Sequence, residues 1–351
     1  MGLKKRKTSD QIPQVTVSNL VEEPPKFLIP TGSTLLNLAC SDTVDGGYGA
    51  GKMINLIGDS SSGKTILAWT MLAELSHRKE FDKYKLIYDD VEAALEININ
   101  RMFGNITKKR VDLISSDTVE DFYGSIVSLV NKNEPFIYVL DSLDALTSVE
   151  EEKRADEYAN EKENKSGSFK TEKPRMVSEI LRVVNKKIKT INSMLAVVSQ
   201  TRDNIGYGAM FAPKTRSGGK ALKFYCTHEI WLAVGKKHKE LDRVVGADIG
   251  VKITKNKLTG KTRNIEFPLY YDYGIDSIGA NVNFLIEEKH WKKTGTNIEA
   301  VDFEVSYPMK KLIKFIEDQS LEEALDEIVG NKWNEIEEKI KLNLDRKSRY
   351  E

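Results

Sequence analysis

Met53-Ile54-Asn55-Leu56-Ile57-Gly58-Asp59-Ser60-Ser61-Ser62-Gly63-Lys64-Thr65 joins a short apolar run to a glycine- and serine-rich turn and then to the first residues of an amphipathic segment. The apolar part, Met53 to Ile57, reads as a strand buried on both faces. Gly58 to Thr65 fits the phosphate-binding pattern G-x-x-x-x-G-K-[ST], in the setting that pattern requires: a strand before it and a helix opening after it. The glycines let the backbone wrap an anion, so that successive N–H groups and the helix N-terminus point at negative charge. Lys64 then reaches the terminal phosphates of a nucleotide and the Thr65 hydroxyl ligates Mg²⁺. Gly58, Asp59, Ser60, Ser61, Ser62, Gly63, Lys64 and Thr65 are therefore the candidate phosphate cradle for ATP. A Gly/Ser turn arising by chance would lack the strand, the Lys-Thr pair and the helix together.

Working outward, further apolar runs at Leu86 to Tyr88, Phe136 to Leu140 and Met194 to Val198 have the same buried-strand signature. Helix-length amphipathic segments lie between them, at Thr65 to Arg78, Val119 to Asn131 and Arg175 to Ile191. This β-then-α rhythm predicts an α/β core with a mostly parallel central sheet flanked by helices. After about Tyr273 the pattern changes to short strands and then to helices at Met309 to Glu317 and Leu321 to Leu344, a small α+β C-terminal domain. The expected division is an N-terminal arm over 1–30, a core over 31–272 and a C-terminal domain over 273–351. The arm carries Pro13, Pro24, Pro25 and Pro30, with Val15-Thr16-Val17 able to pair as an edge strand.

Three strand ends carry chemistry. Phe136 to Leu140 ends in Asp141-Ser142, the second element a phosphate-loop enzyme needs beside Mg²⁺, which makes Asp141 with Thr65 the candidate metal pair. An Asp at a strand end equally serves as an N-cap for the next helix, and only the upstream loop favours the metal role. Leu86 to Tyr88 runs into Asp89, Asp90 and Glu92 at the edge where ligands gather in such sheets. Glu92, set back from the strand end with space for a water, is the candidate for orienting the attack on the γ-phosphate. The alternative is a solvated acidic loop. Gln200, after Met194 to Ser199, places an amide where a γ-phosphate lies.

The 351 residues allow one large domain and a smaller one, since single cores stop growing near roughly 250 to 300 residues. Lys and Arg together equal Asp and Glu at 53 each, so any nucleic acid must be met by local basic patches. Cys40 and Cys226 are far apart and in no metal-ligand spacing, which fits a reducing, cytoplasmic setting. No apolar run suggests an export signal or a membrane span. The Lys4 to Lys7 run reads as a solvated tail.

Two regions break the α/β rhythm. Glu150 to Lys173 is charged, shows no repeating apolar face and reads as a mobile loop. Arg202 to Gly219 is rich in Gly, Pro and basic residues, with Met210 and Phe211 as apolar side chains in polar company.

With these residues in hand, the chain resembles the RecA family of DNA strand-exchange ATPases from about Thr31 onward. The likeness rests on Thr31-Gly32-Ser33, Asp90-Val91-Glu92-Ala93-Ala94-Leu95, Asp141-Ser142-Leu143-Asp144-Ala145-Leu146-Thr147, Arg175-Met176-Val177-Ser178 with Arg182, Met210-Phe211, Gly218 to Tyr225 and Val251 to Lys257. The resemblance implies that Glu92 is the hydrolytic carboxylate and that Gln200 couples the γ-phosphate to DNA. It implies that Lys255 and Lys257 act on ATP held by the neighbouring subunit, with Lys223 and Phe224 at the same interface. Taken alone, Lys255 and Lys257 are basic residues on a strand.

The same resemblance makes Glu150 to Pro174 and Arg202 to Gly219 the two DNA-binding loops, with Arg175, Arg182, Arg202, Met210, Phe211, Arg216, Gly218 and Gly219 as DNA contacts. Arg175 and Arg182, seven apart, share one helix face. The implied partners are single- and double-stranded DNA and further copies of the chain in a helical filament, with ATP and Mg²⁺ as cofactors and no membrane. The chain departs from the family pattern in showing no gripping helix before Thr31, in a longer and more charged first loop, in Glu229 where an interface cation is expected, and in Ile99 where an aromatic would stack on adenine. These departures suggest a phage- or plasmid-type member. Rival readings are a hexameric helicase-type motor, a single-strand annealing or mediator protein that uses ATP for assembly, and a phosphate-loop switch without DNA.

Overall fold

The computed structural model describes residues 27–93, 95–160, 172–203, 214–216 and 219–341. The Val15–Val17 expectation lies outside them. Before the phosphate loop, β1 (Leu28–Ile29) pairs antiparallel with β2 (Tyr48–Gly49) around helix α1 (Thr34–Ser41). The core follows as β3 (Met53–Gly58), α2 (Lys64–Ser76), β4 (Lys85–Asp90), α3 (Ile99–Arg110), β5 (Val111–Ile114), α4 (Val119–Asn131) and β6 (Phe136–Asp141). Then come α5 (Val149–Asn160), α6 (Glu172–Thr190), β7 (Met194–Asp203), β8 (Lys214–Arg216), α7 (Gly219–Tyr225), β9 (His228–Glu240), β10 (Arg243–Asn256), β11 (Arg263–Tyr270) and β12 (Gly274–Ile275).

The main sheet runs β12-β11-β10-β9-β3-β7-β6-β4-β5, with β8 beside β7. From β5 to β9 the strands are parallel, and β10, β11 and β12 continue antiparallel. The parallel strands are those read from continuous apolar runs, because helices cover both faces and no alternation is needed. In β3, Ile54 and Leu56 turn to the face covered by α1 and α2, and Met53 to the face covered by α4, α6 and α7. All of β3 is buried, so its C-terminal end is fixed firmly where the phosphate loop begins.

The remaining elements are α8 (Ser277–Glu287), a three-stranded sheet of β13 (Lys292–Thr294), β14 (Asn297–Ala300) and β15 (Val305–Pro308), α9 (Met309–Asp318) and α10 (Glu322–Ile340). Their buried side chains, among them Trp291, Leu312, Val329 and Trp333, join the cluster that holds α1 and α2. Arg263 bridges Glu337 of α10 at 2.6 Å and also pairs with Asp42 at the end of α1, while its guanidinium stacks 5.0 Å from the Trp333 ring.

One expectation is overturned. Val149–Asn160 is helical where the sequence predicts a loop from Glu150, and α6 begins at Glu172, so only 161–171 of that stretch lies outside the described residues. α5 forms without an apolar stripe because its end is capped reciprocally: Ser148 Oγ accepts from Glu151 N at 3.2 Å and Ser148 N donates to Glu151 Oε2 at 3.1 Å. Glu150, Glu151 and Glu152 favour the positive end of the helix, and Arg154 bridges Glu150 one turn on at 3.1 Å.

Candidate functional site

The loop after β3 closes on itself as the glycines require. A Cβ on Gly58 would lie 2.3 Å from Ser62 Oγ and 2.6 Å from Leu232 O, and Gly63 takes φ 89° with Leu269 Cδ1 2.9 Å from where a Cβ would sit. No other residue fits either place. Lys64 folds back over the loop, donating to Gly58 O at 3.0 Å and to Asp59 O at 2.6 Å. Burial lowers its pKa, while the carboxylates of Asp141, Glu92, Asp59 and Asp144 favour the charged form.

Four strand ends converge on this loop. Gly58 of β3 is level with Gln200 of β7, and Asp141 of β6 with Asp90 of β4. Thr65 Oγ1 donates to Asp141 Oδ2 at 2.8 Å, so the two residues read as a metal pair do share one point. Tyr88 O–H donates to the same oxygen at 2.5 Å. Burial raises the Asp141 pKa, opposed by the Tyr88 and Thr65 hydrogen bonds and by Lys64. A half-buried carboxylate held up in this way gains from a divalent cation. Thr65 and Asp141 offer the hard oxygens that Mg²⁺ takes when most of its shell is water and phosphate. Ser62 Oγ is buried with no hydrogen-bond partner among the described residues, as a side chain lining a polar cradle would be. The residues fit a Mg²⁺–nucleotide, whose metal would neutralise phosphate charge.

Glu92 meets both other strand ends: its Oε1 accepts from Ser142 Oγ at 2.7 Å and from Gln200 Nε2 at 2.9 Å. Gln200 N donates to Asp144 Oδ2 at 3.2 Å, and Thr201 Oγ1 donates to Asp59 Oδ1 in the loop itself. Lys173, at the start of α6, donates to Asp144 O at 3.0 Å. Glu92, Asp141, Ser142, Gln200 and Lys64 are therefore brought together. Tyr88 and Thr201 were missed, because their ties cross strands whose register no local pattern reveals. Asp90 has a local task, accepting from Leu95 N at 3.1 Å. Asp89 is fully buried, holding Ser116 N at 2.8 Å and the Tyr138 hydroxyl at 2.5 Å, far from solvent chemistry.

A scan against family models matches the RecA N-terminal domain over residues 17–276. The chain belongs to the RecA family. Among curated relatives it is 31% identical over 268 residues to Protein RecA of Oleidesulfovibrio alaskensis, covering 76% of this chain and 72% of that one. It is 32% identical over 271 residues to Protein RecA of Geobacter metallireducens, covering 76% and 74%, and 31% identical over 269 residues to Protein RecA of Brucella anthropi, covering 76% and 69%.

In this RecA-family chain the other expected site residues lie elsewhere. Lys255 pairs with Glu229, which pairs with Asn55, and Lys257 N donates to Thr227 O, beside the first residue of β3. Asn55 and Gly58 are three residues apart, about 10 Å of strand, and the lysines point the other way. Lys255 Nζ donates to Lys223 O and, at 3.4 Å, to Phe224 O; Lys257 Nζ donates to Phe224 O at 2.8 Å. Both ammonium groups thus cap the C-terminal end of α7, where unpaired carbonyls favour cations. Phe224 is 70% exposed, with Lys257 5.7 Å over its ring.

Arg175 and Arg182 are exposed along α6 and line a cleft of about 510 Å³ with Phe224 and Tyr225; Arg175 pairs with Glu179 at 3.3 Å. Arg202 and Arg216 stand on β7 and β8, which pair antiparallel, and Gly219 opens α7. Met210, Phe211 and Gly218 lie outside the described residues. Ile99 is half-buried against the core as the first residue of α3. Among the described residues no helix is long and apolar enough to cross a membrane.

Proposed function

We propose that the chain is a DNA-dependent ATPase that polymerises head to tail on single-stranded DNA with ATP and Mg²⁺, then pairs that strand with a homologous duplex and exchanges strands. The observation that carries this reading is the Glu92–Gln200 hydrogen bond of 2.9 Å. It links the carboxylate placed to orient water with the strand that leads directly into the 202–219 segment. Loss of a γ-phosphate on one side and movement of a DNA-contacting segment on the other are then one event, a population shift driven by differential nucleotide contacts.

Thr65 and Asp141 would hold Mg²⁺, Lys64 and the loop N–H groups the phosphates, and Glu92 the attacking water, whose proton passes to its carboxylate. Lys255 and Lys257 cannot serve the loop of their own subunit, and in this reading they stabilise transition-state charge on the neighbour's ATP. Such heterologous contacts, when they do not close, give a helix. Arg175 and Arg182 supply sequence-independent phosphate contacts, and Met210 or Phe211 the apolar wedge between bases. The ATPase core is assigned to 31–272, with an arm over 1–30 and a smaller C-terminal unit over 273–351. Relatives named Protein RecA support the reading at the family level.

The test is ATP turnover with and without single-stranded DNA at low salt, paired with negative-stain imaging in a non-hydrolysable ATP analogue. Stimulated turnover with open helical filaments is expected. Closed rings would move the assignment to a hexameric motor, DNA complexes without stimulation to an annealing or mediator protein, and neither binding nor stimulation would remove DNA from the function.

A further inference from the structure

The two faces of the β4–β6 pair each carry a tyrosine hydroxyl on a carboxylate, and the two arrangements end differently. The strands run parallel, with Tyr88 opposite Val139 and Ile87 opposite Tyr138. Residues two apart on a strand share a face. Tyr88, Val139 and Asp141 therefore lie toward α1 and α2, and Tyr138 and Asp89 toward α4 and α6. On the second face the carboxylate is closed. Asp89 Oδ1 accepts from Ser116 N at 2.8 Å, and Oδ2 accepts from Ser116 Oγ at 2.7 Å and from the Tyr138 hydroxyl at 2.5 Å. Protein donors occupy both oxygens of a fully buried side chain, which makes this a structural tie.

On the first face both donors converge on one oxygen. Tyr88 O–H at 2.5 Å and Thr65 Oγ1 at 2.8 Å donate to Asp141 Oδ2, which leaves Oδ1 of this half-buried carboxylate for a cation or its bound water. Thr65 belongs to the candidate metal pair itself, so it is Tyr88 that holds Asp141 from outside the pair. The phenol is in turn clamped. Tyr88 is buried, with its ring centroid 4.8 Å from that of Trp69, which stacks on Phe103 of α3 at 6.1 Å. Trp69 and Thr65 stand four apart on α2 and so share a helix face. Thr65, Asp141, Tyr88 and Trp69 thus form a closed circuit that begins and ends on the helix opening at the phosphate loop.

We propose that Tyr88 is a positioning residue for the Mg²⁺–nucleotide: its hydroxyl, clamped by Trp69, fixes the Asp141 carboxylate in one orientation beside Thr65, the arrangement in which the pair takes the metal. The inference rests on the reading of Thr65 and Asp141 as the metal pair.

The experiment compares wild type, Tyr88→Phe and Tyr138→Phe as full chains without DNA. Each variant removes one hydroxyl from one carboxylate and keeps the ring, so Tyr138→Phe is the control for a purely structural loss. Mn²⁺ binding in the presence of ADP is read by electron paramagnetic resonance, ADP affinity is titrated in EDTA, and stability is read by urea unfolding. Tyr88→Phe should weaken Mn²⁺ binding by about 10- to 100-fold, the scale on which an outer-shell partner supports a metal ligand, with ADP affinity in EDTA unchanged. Tyr138→Phe should bind Mn²⁺ as the wild type does and show its loss in the urea midpoint alone. Wild-type Mn²⁺ affinity in Tyr88→Phe, or an equal shift in both variants, would overturn the proposal. A wild type that binds ADP and takes up no Mn²⁺ with it would overturn the metal-pair reading, and this inference with it. Should Tyr88→Phe fail to fold, Trp69→Phe loosens the clamp and keeps the hydroxyl. It should weaken Mn²⁺ binding by a smaller factor, and unchanged affinity would count against the role.

Discussion

The two ends of the central strand β3 are built differently. At its C-terminal end the loop is closed over Lys64, and Asp141, Thr65, Glu92, Ser142 and Gln200 are already tied together by hydrogen bonds of 2.7 to 2.9 Å. At its N-terminal end Lys255 and Lys257 rest on the carbonyls that end α7, beside a Phe224 that is 70% exposed. The first end has residues that fit a nucleotide, and among the described residues Lys64 is the cation hydrogen-bonded to its loop. The second presents two cations and an exposed aromatic. Under the proposed shared site these ends are two half-sites of one subunit, which a head-to-tail polymer would join.

The sharpest way to break this comparison is to remove the cation. Lys255→Ala should lower DNA-stimulated turnover by about 10³- to 10⁵-fold, the scale of an arginine finger supplied in trans, while Mg-ATP affinity of the free subunit, read by equilibrium titration, stays unchanged. Glu92→Gln strikes the other end. It should cost about 10²- to 10⁴-fold in turnover, the worth of a positioned general base, with ATP still bound and filaments still formed in the microscope.

A third outcome concerns stability at the lysine end. Burial lowers the pKa of His228, opposite Asn256 on β10, to about 4. The folded chain therefore resists a proton that the unfolded chain accepts near pH 6.5, so stability present above that pH is lost as pH falls toward 4. The loss approaches roughly 3 kcal/mol. Urea unfolding of wild type and His228→Gln at pH 7 and pH 5 should show the wild type losing about 2 kcal/mol more than the variant, the share that falls between pH 6.5 and pH 5. The smallest effect is expected far from both ends: Ser148→Ala removes the cap of α5 and should cost about 1 kcal/mol, with ATP affinity untouched.

What the sequence reveals follows the same division. Gly58 and Gly63 are legible because the chain there must take shapes no side chain permits, a local demand. The parallel strands are legible because both faces are buried. α5 was hidden because it stands on the Ser148 cap and the Glu150–Arg154 pair instead of an apolar stripe. Tyr88 and Thr201 were hidden because their partners, Asp141 on a strand end and Asp59 in the phosphate loop, are distant from them in sequence. From their own pattern Lys255 and Lys257 read as basic residues on a strand, and only the family resemblance gives them a role at a neighbour's ATP. Their place at the far end of the sheet follows from the register of β9 and β10, which periodicity does not encode.

The central claim is that the half-sites must meet. The most direct test is specific ATP turnover, at saturating single-stranded DNA and Mg-ATP, as the protein is diluted through the range in which it assembles. Turnover per subunit should fall steeply as filaments dissociate in parallel light-scattering measurements, while nucleotide binding persists. A turnover per subunit that stays constant down to isolated subunits would contradict the account, since one chain would then hold a complete catalytic site.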